Sequence, residues 1–305
     1  MIVERGKGRE VIIRRRDDSG KVITERVAGP KPYLFVESDV DWRPAGRWVI
    51  STEDGYTGVY GQPLRKLVCA DPSDIPRVRE ELGVATWEAN IPYAIRTMCD
   101  LNLMYDNYKH RTWFFDCEWK MQSGEITIIV VQDSDLDEPY VFFTHREYEE
   151  GKYVQIPCKE HPEGKEFLRF DGIKARAFKD ERSMLKTFAD CMSWRDPDIL
   201  TGWNVTQADI QQLTKRMTAC GLDPRTMSPL RRIRYEYGGW AQPIPGRNCI
   251  DLMEAFVHLW TIRNGQLASK GLGDVAQECL KETKIQLENG HDTYYTDFGT
   301  YLDYA

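Results

Sequence analysis

The stretch Trp113-Phe114-Phe115-Asp116-Cys117-Glu118-Trp119 decides the fold of this chain, because it has the composition of a buried strand that carries two acids. Aromatic residues favour strands, and successive side chains of a strand point to opposite faces. Asp116 and Glu118 are therefore expected on one face, with Cα atoms roughly 7 Å apart. Two carboxylates this close repel each other unless a cation holds them, and Mg²⁺ and Mn²⁺ prefer oxygen ligands. The stretch predicts half of a metal site.

The spacing of these two acids also has an ordinary explanation. The chain has 48 acidic residues among 305, and Asp39/Asp41 and Asp135/Asp137 repeat the spacing. A polar strand end would account for a single pair of this kind. The metal interpretation therefore depends on the strand context and on partners further along the chain.

Composition indicates a folded protein without a membrane partner. The chain is long enough for one large or two ordinary domains, and it is 41% hydrophobic with 35 aromatic residues (9 Trp, 15 Tyr and 11 Phe). No apolar run reaches the roughly 18 residues of a membrane span, and the eight scattered cysteines are typical of a reduced, cytoplasmic protein. The net charge of -7 disfavours extended duplex binding. A narrow single-strand site remains compatible with it, because metal ions supply local positive charge.

The first hundred residues are predicted to be mostly β. The predicted strands comprise a hairpin formed by 11–16 and 22–26, a strand at 31–36 and shorter strands at 47–50 and 58–60. Helices are predicted at 75–82 and 92–101. The polar stretch that follows lacks a core pattern, so we place a domain boundary there, with domains at 1–108 and 109–305.

The second domain is predicted to be α/β. Strands at 113–119, 126–131 and 140–143 form an antiparallel meander, and further elements are a helix at 180–194, a strand at 199–203, a helix at 209–219, a hairpin between 231 and 252, and helices at 251–260, 273–280 and 297–305. Ligands of such sheets collect at the carboxyl ends of strands. Asp116, Glu118 and Asn204 are placed at such ends, and Asp209 lies just beyond.

The order of these residues resembles a known family. Asp116-x-Glu118, followed by Asp198-Ile199-Leu200-Thr201-Gly202-Trp203-Asn204 and, four residues later, Asp209, resembles the first two exonuclease motifs of family B DNA polymerases. Segments resembling the amino-terminal domain of archaeal and related viral members occur at 31–36, 71–79 and 87–94. Two more similar segments occur at 250–253 and 272–276. The resemblance therefore extends across nearly the whole chain.

The resemblance implies a β-rich amino-terminal domain followed by a 3′→5′ proofreading exonuclease with a ribonuclease H-like fold, a mixed sheet flanked by helices. In that family four carboxylates hold two divalent metal ions, Mg²⁺ or Mn²⁺. Carried over, Asp116 would bridge both ions, Glu118 would help hold the ion that activates water, and Asp209 would serve the second. Asn204 would position the 3′-terminal nucleotide, or it is simply the turn residue after the strand.

Two departures from the family pattern bear on the site. Ala208 stands where the family usually has an aromatic residue before Asp209. The third motif is Tyr-x-x-x-Asp, of which Tyr304 supplies the catalytic tyrosine, whereas the acid would fall at position 308 of a 305-residue chain. The chain is therefore expected to end three residues short of its own active site.

The polymerase motifs are absent from the sequence, so DNA synthesis is not expected. The predicted function is the amino-terminal and proofreading exonuclease portion of a replicative DNA polymerase of an archaeal, bacterial or virus-infected cell. Its partners would be a single-stranded DNA 3′ end, primer-template DNA, and the remaining polymerase domains in cis or as a second chain. Two alternatives stay open: a catalytically inactive single-strand DNA-binding or scaffold module, and a free-standing exonuclease acting on other nucleic acids.

Overall fold

The computed structural model describes residues 1–103, 109–144, 153–156, 173–235 and 242–282. The chain divides into two compact units, Met1–Lys109 and His110–Ala305. The predicted helix at 297–305 lies outside the described residues. The assignment of residues 1–108 to the amino-terminal domain of a polymerase, and of 109–305 to an exonuclease domain, remains a prediction.

The first unit is β-rich, with two three-stranded antiparallel sheets and two helices. Its strands are β1 (Ile2–Arg5), β2 (Glu10–Arg16), β3 (Val22–Ala28), β4 (Tyr33–Glu37), β5 (Val49–Thr57) and β6 (Pro63–Cys69), and its helices are α1 (Asp74–Leu82) and α2 (Tyr93–Asp100). The sheet orders are β1-β2-β3 and β4-β6-β5. The predicted hairpin is confirmed as β2 and β3, whose turn is closed where Asp17 Oδ1 accepts the Ser19 and Lys21 N–H groups.

The predicted strand at 58–60 is wrong. These residues form the turn between β5 and β6, where the Gly58 N–H donates to the Gln62 carbonyl and the Gly61 N–H to the Gly58 carbonyl. The strand of this region is β6, which the sequence analysis did not predict. Arg65 and Lys66 stand side by side in β6 and break the alternation of polar and apolar residues by which a strand is recognised.

The second unit is built on a seven-stranded mixed sheet of order β10-β11-β9-β8-β7-β12-β13. Its strands are β7 (Thr112–Trp119), β8 (Ile126–Asp133), β9 (Tyr140–Thr144), β10 (Tyr153–Ile156), β11 (Ile173–Phe178), β12 (Ile199–Gly202) and β13 (Asn248–Asp251). Its helices are α3 (Glu181–Arg195), α4 (Asp209–Ala219), α5 (Leu252–Asn264) and α6 (Leu272–Cys279). Strands β7, β8 and β9 form the predicted antiparallel meander, while β12 runs parallel to β7 and β13 parallel to β12. No helix in the described part of the chain is long and apolar enough to cross a membrane.

Helix α3 covers one face of the central strands. Asp180 caps it as predicted, because its side chain accepts the Ser183 N–H at 2.7 Å. The ring centroid of Phe188 on this helix lies 6.1 Å from that of Trp113, 6.3 Å from that of Phe115 and 5.9 Å from that of Phe142. All four rings are buried in one core that also includes residues of α4. Burial of these rings fixes which face of β7 points inward, and therefore which face carries the acids.

The predicted hairpin between 231 and 252 is wrong. Among the described residues of this range, the strand is β13 alone, and it pairs parallel with β12. Parallel pairing brings the carboxyl ends of both strands to the same edge, with Gly202 opposite Asp251. The end of the predicted hairpin overlaps β13, but the partner strand of β13 lies 49 positions earlier in the chain, as the pairs Ile199↔Asn248 and Gly202↔Asp251 show. Local sequence patterns do not encode such a distant partner.

Candidate active site

Asp116 and Glu118 lie on the face of β7 opposite the core. Trp113, Phe115 and Cys117 are buried, whereas Phe114 is 45% exposed, Asp116 is exposed and Glu118 is half-buried. The burial alternates with the period of two that the pleat of a strand imposes. The two carboxylates therefore project from the same surface of the sheet.

The edge of β7 beside these acids is not covered by β12. The pairing of the two strands runs to Thr201 opposite Phe114, and β12 ends at Gly202. A Cβ atom at Gly202 would lie 2.6 Å from the Phe115 carbonyl oxygen, so only glycine allows the backbones to approach so closely before they separate. Beyond this point the β7 backbone needs other hydrogen-bond partners.

Asp209 supplies one of those partners. It is the first residue of α4, and its Oδ1 accepts the Cys117 N–H at 2.9 Å. Cys117 stands between Asp116 and Glu118 in the sequence. The hydrogen bond therefore brings the third predicted carboxylate to the backbone between the other two.

The electrostatics of this group favour a bound cation. Burial raises the pKa of Asp209 to about 7, the negative charge of Asp116 contributes in the same direction, and the hydrogen bond from Cys117 acts against both. Burial also raises the pKa of the Cys117 thiol well above its usual value, with a further contribution from the carboxylates of Asp209, Asp116 and Glu118. Cys117 is therefore a protonated core thiol, and a cation beside the carboxylates would relieve the repulsion.

Asn204 occupies a strained turn between β12 and α4. Its φ angle is +59°, in the left-handed region that asparagine tolerates better than most residues. Its carbonyl accepts the N–H groups of Gln207 at 3.2 Å and Ala208 at 2.9 Å. The turn role that the sequence allowed for Asn204 is thus present in the backbone, and its proposed contact with a nucleotide remains a prediction.

Sequence reasoning missed Asp251 as a member of this region. Its carboxylate, 5% exposed as a residue, caps α5 and also accepts hydrogen bonds from Asn204 and Thr206. The pattern Asp251-x-x-Glu254 is a recognisable helix start. The contact with a turn more than forty residues earlier has no signal in the local sequence.

A groove of about 850 Å³ lies beside α4. Its walls include the aromatic residues Trp119 and Tyr235, the basic residues Lys215 and Arg234, and Ala208. Aromatic rings and cations are the groups that contact single-stranded nucleic acid. Ala208, which stands where the family usually has an aromatic residue, is one of the residues that line this groove.

The described residues contain neither Tyr304 nor a preformed cluster of metal ligands. Tyr304 lies outside the described residues. Within the ranges that the structure describes, no group of three or more His, Cys, Asp or Glu side chains is arranged to hold a metal ion. By their chemistry, however, the oxygen donors Asp116, Glu118 and Asp209 fit a hard cation such as Mg²⁺ or Mn²⁺.

Comparison with known proteins finds a similarity in the second unit. Residues 109–238 match the exonuclease domain of DNA polymerase family B. The DNA polymerase delta catalytic subunit of Dictyostelium discoideum is 24% identical over 261 residues, which cover 68% of this chain and 23% of that protein. A DNA polymerase of Pyrococcus glycovorans is 23% identical over 243 residues (72% and 28%), and one of Desulfurococcus sp. (strain Tok) is 25% identical over 174 residues (53% and 20%).

The chain thus spans less than a third of the length of each of these relatives. The family match begins just before β7 and includes the acid pair, the Asn204 turn and Asp209. The sequence motifs and the geometry around β7 point in the same direction. Residues 109–238 are therefore similar to the exonuclease domain of DNA polymerase family B.

Proposed function

We propose that this chain hydrolyses phosphodiester bonds at the 3′ end of single-stranded DNA, as the proofreading 3′→5′ exonuclease of a replicative DNA polymerase. The observation that carries the proposal is the hydrogen bond from the Cys117 N–H to Asp209, which joins a buried carboxylate to the backbone between Asp116 and Glu118. The meander β7-β8-β9, extended by parallel β12 and β13, supports a ribonuclease H-like fold.

The three carboxylates would act as the ligands of two divalent cations. When bound, two Mg²⁺ or Mn²⁺ ions supply positive charge for the attacking and leaving oxygens of the phosphodiester. Asp116, which is exposed, would help to hold both ions, as the resemblance to the first exonuclease motif implies. Glu118 would help to hold the ion that activates water, and Asp209 would help to hold the second ion. Tyr304 is assigned to the same site by its resemblance to the third motif.

The DNA strand would approach along the groove beside α4. Trp119 and Tyr235 offer ring surfaces to unstacked bases, while Lys215 and Arg234 offer positive charge to phosphates. Asn204 would contact the 3′-terminal nucleotide at the end of β12. The remaining polymerase domains, in cis or as a second chain, and primer-template DNA are the proposed partners.

A second candidate is a single-strand DNA-binding or scaffold module without catalysis. It is favoured by one observation: the described residues contain no group of three or more side chains arranged to hold a metal ion. In that case the groove would still bind DNA, but the carboxylates would stay without ions.

Mn²⁺ binding and DNA shortening separate the two candidates. We expect calorimetry to detect Mn²⁺ binding to the chain. The double substitution Asp116→Ala/Asp209→Ala should weaken Mn²⁺ affinity at least about tenfold. Loss of a residue that only orients a metal ligand already costs about that much affinity, and loss of the ligands themselves should cost no less. When the remaining polymerase domains are supplied in cis or as a second chain, a 5′-labelled oligonucleotide should be shortened from its 3′ end by the wild type and not by Asp116→Ala.

The control for both measurements is Asp18→Asn, which changes an exposed acid in the turn after β2. Equal Mn²⁺ affinity of the double variant and the wild type would contradict the metal site. Binding of Mn²⁺ and DNA without shortening would favour the non-catalytic module.

A further inference from the structure

We propose that Asp251 is a positioning residue of the exonuclease site: its carboxylate holds the segment that joins β12 to α4, and thereby sets where Asn204 and Asp209 stand beside β7. The inference rests on the proposed function, because the two residues that it positions are assigned there to substrate and metal. Asp251 itself would contact neither the substrate nor the metal.

The carboxylate of Asp251 forms hydrogen bonds with both the start of α5 and the turn after β12. Oδ1 accepts the N–H groups of Met253 at 3.0 Å and Glu254 at 3.4 Å, which is the cap of α5, and also the Asn204 N–H at 3.1 Å. Oδ2 accepts from Thr206 twice, from the N–H at 3.1 Å and from Oγ1 at 2.8 Å. A helix cap requires only the first pair. The other three hydrogen bonds go to the turn after β12.

Further hydrogen bonds connect this turn to the residues on either side of Asp209. The carbonyl of Asn204 accepts the N–H groups of Gln207 and Ala208, and the Val205 carbonyl accepts the Ile210 N–H at 2.9 Å in the first turn of α4. Asp209 then reaches Cys117 in β7. Because Val205 and Thr206 are buried, the segment has little room to follow another path.

The conformation of Asn204 explains why the turn needs an anchor. A positive φ angle at a residue other than glycine costs free energy and persists only where the surroundings impose it. Hydrogen bonds to an ionised carboxylate are stronger than those to a neutral acceptor. Asp251 supplies this acceptor from β13, which pairs with β12 at the same edge of the sheet.

The same contacts distinguish Asp251 from a metal ligand. Its oxygens accept five hydrogen bonds in total, so coordination of an ion would require breaking the turn. Asp209, by contrast, presents its carboxylate to the strand that carries Asp116. The two buried aspartates therefore have different roles.

The substitution Asp251→Asn tests the inference and keeps the helix cap. Asparagine caps helices as well as aspartate does, so α5 remains capped by the side-chain oxygen. Its NH₂ group then faces the Thr206 N–H, donor against donor, so Thr206 loses its backbone hydrogen bond to Asp251 while the Asn204 N–H keeps its acceptor. Amide hydrogen exchange of the full chain should become at least about tenfold faster at Thr206, with exchange in α5 unchanged.

Matched variants sharpen this measurement. Asp180→Asn makes the same change at the cap of α3 and should leave the turn at wild-type exchange rates. Thr206→Val removes the Oγ1 hydrogen bond and should speed exchange, whereas Thr206→Ser retains the hydroxyl and should restore wild-type rates. Unchanged exchange at Thr206 in Asp251→Asn would overturn the inference.

A binding measurement connects the turn to DNA. The probe is an oligothymidylate with a 3′-terminal phosphorothioate linkage. Its affinity for the protein should fall about tenfold in Asp251→Asn. The double variant Asp251→Asn/Asn204→Ala should bind the probe no more weakly than Asn204→Ala alone. Fully additive losses would mean that Asp251 does not act through Asn204, and would overturn the inference. If the wild-type chain neither bound nor shortened DNA, the proposed function would fail, while hydrogen exchange would still decide whether Asp251 fixes the turn.

Discussion

At the residue scale, Asp209 is the candidate site residue that is expected to lower the stability of the ion-free folded protein most. It is 3% exposed, and burial together with Asp116 disfavours its charged form. The hydrogen bond from Cys117 offsets part of this cost. Such a group lowers the stability of the ion-free protein. Binding of a cation beside it is therefore expected to stabilise the folded state.

We expect Asp209→Asn to raise the thermal unfolding temperature of the protein in the presence of a chelator at pH 8. The amide oxygen can still accept the Cys117 N–H, while the buried negative charge is gone. The stabilisation that Mn²⁺ gives to the wild type should be absent from the variant. Differential scanning calorimetry with and without Mn²⁺ measures both effects, and Asp18→Asn is the control. An unchanged Mn²⁺ response in Asp209→Asn would contradict its role as a ligand.

Asp133 shows the opposite behaviour, because its charge is compensated. Its residue is fully buried, and its carboxylate accepts hydrogen bonds from Arg195 Nε at 2.8 Å, Trp113 Nε1 at 2.9 Å and the Asp135 N–H at 2.9 Å. Burial acts to raise the pKa of Asp133, but these hydrogen bonds and the charge of Arg195 outweigh it and hold the pKa below its usual value.

The lowered pKa of Asp133 predicts a loss of stability in acid. A carboxyl group whose pKa is lower in the folded state stabilises the protein above its unfolded pKa, and this contribution disappears as the pH falls through the folded pKa. Asp133→Asn should therefore cost about 3 kcal/mol of unfolding free energy at pH 7, because Arg195 loses its buried partner. The difference from the wild type should shrink below about pH 4.

Urea unfolding at several pH values measures this difference. Asp190→Asn is the matched control, since Asp190 forms an exposed pair with Lys186 on α3 and should have little effect at any pH. A difference between Asp133→Asn and the wild type that stayed constant from pH 7 to pH 3 would show that the charge of Asp133 is not what stabilises the fold.

At the scale of the elements, the early end of β12 creates the site. β7 has eight residues and β12 has four, so the carboxyl-terminal part of β7 lacks a strand neighbour on one side. The first turn of α4 fills that place with Asp209. The close approach of Gly202 to Phe115 sets where the two strands separate.

We expect Gly202→Ala to destabilise the second unit by about 1–3 kcal/mol, because a Cβ would overlap the Phe115 carbonyl and the backbone would have to shift. Hydrogen exchange at the Cys117 amide should also become faster, since β12 and α4 would move away from β7. Gly58→Ala is the control, because its Cβ would meet only the movable side chain of Gln62. Equal stability of Gly202→Ala and the wild type would contradict this account of the strand end.

At the scale of the whole molecule, the charge limits how the chain can bind DNA. A net charge of -7 repels phosphates in general, and the basic residues that line the groove beside α4 are Lys215 and Arg234. The protein is therefore expected to bind DNA through a few local contacts.

The salt dependence of binding tests this expectation. At a fixed Mn²⁺ concentration, the affinity for a 3′-phosphorothioate oligothymidylate should depend on the KCl concentration with a logarithmic slope no steeper than about -1.5, as for two phosphate contacts. Lys215→Gln should reduce the slope by about 0.7, and Lys186→Gln on α3 should leave it unchanged. Fluorescence anisotropy measures these slopes, and a wild-type slope of about -4 or steeper would show that a much larger basic surface takes part.

The sequence by itself determined the features that depend on local patterns. The alternation of residues 113–119 decided which face of β7 carries Asp116 and Glu118, and the period of residues 180–194 with Asp180 at its start determined α3. The motif order indicated the polymerase family that residues 109–238 match. In each case the signal lies within one strand, one helix or one short motif, where neighbouring residues share the same geometry.

Only the tertiary structure decided which distant residues meet. The Asp209–Cys117 hydrogen bond joins residues 92 positions apart, and Asp251 reaches Thr206 across 45 positions. The parallel pairing of β12 with β13 replaced the hairpin that the local pattern favoured. Side-chain periodicity specifies a face but not a neighbour. The neighbours were fixed when burial of the face of β7 that carries Trp113 and Phe115 brought the helices and strands together around it.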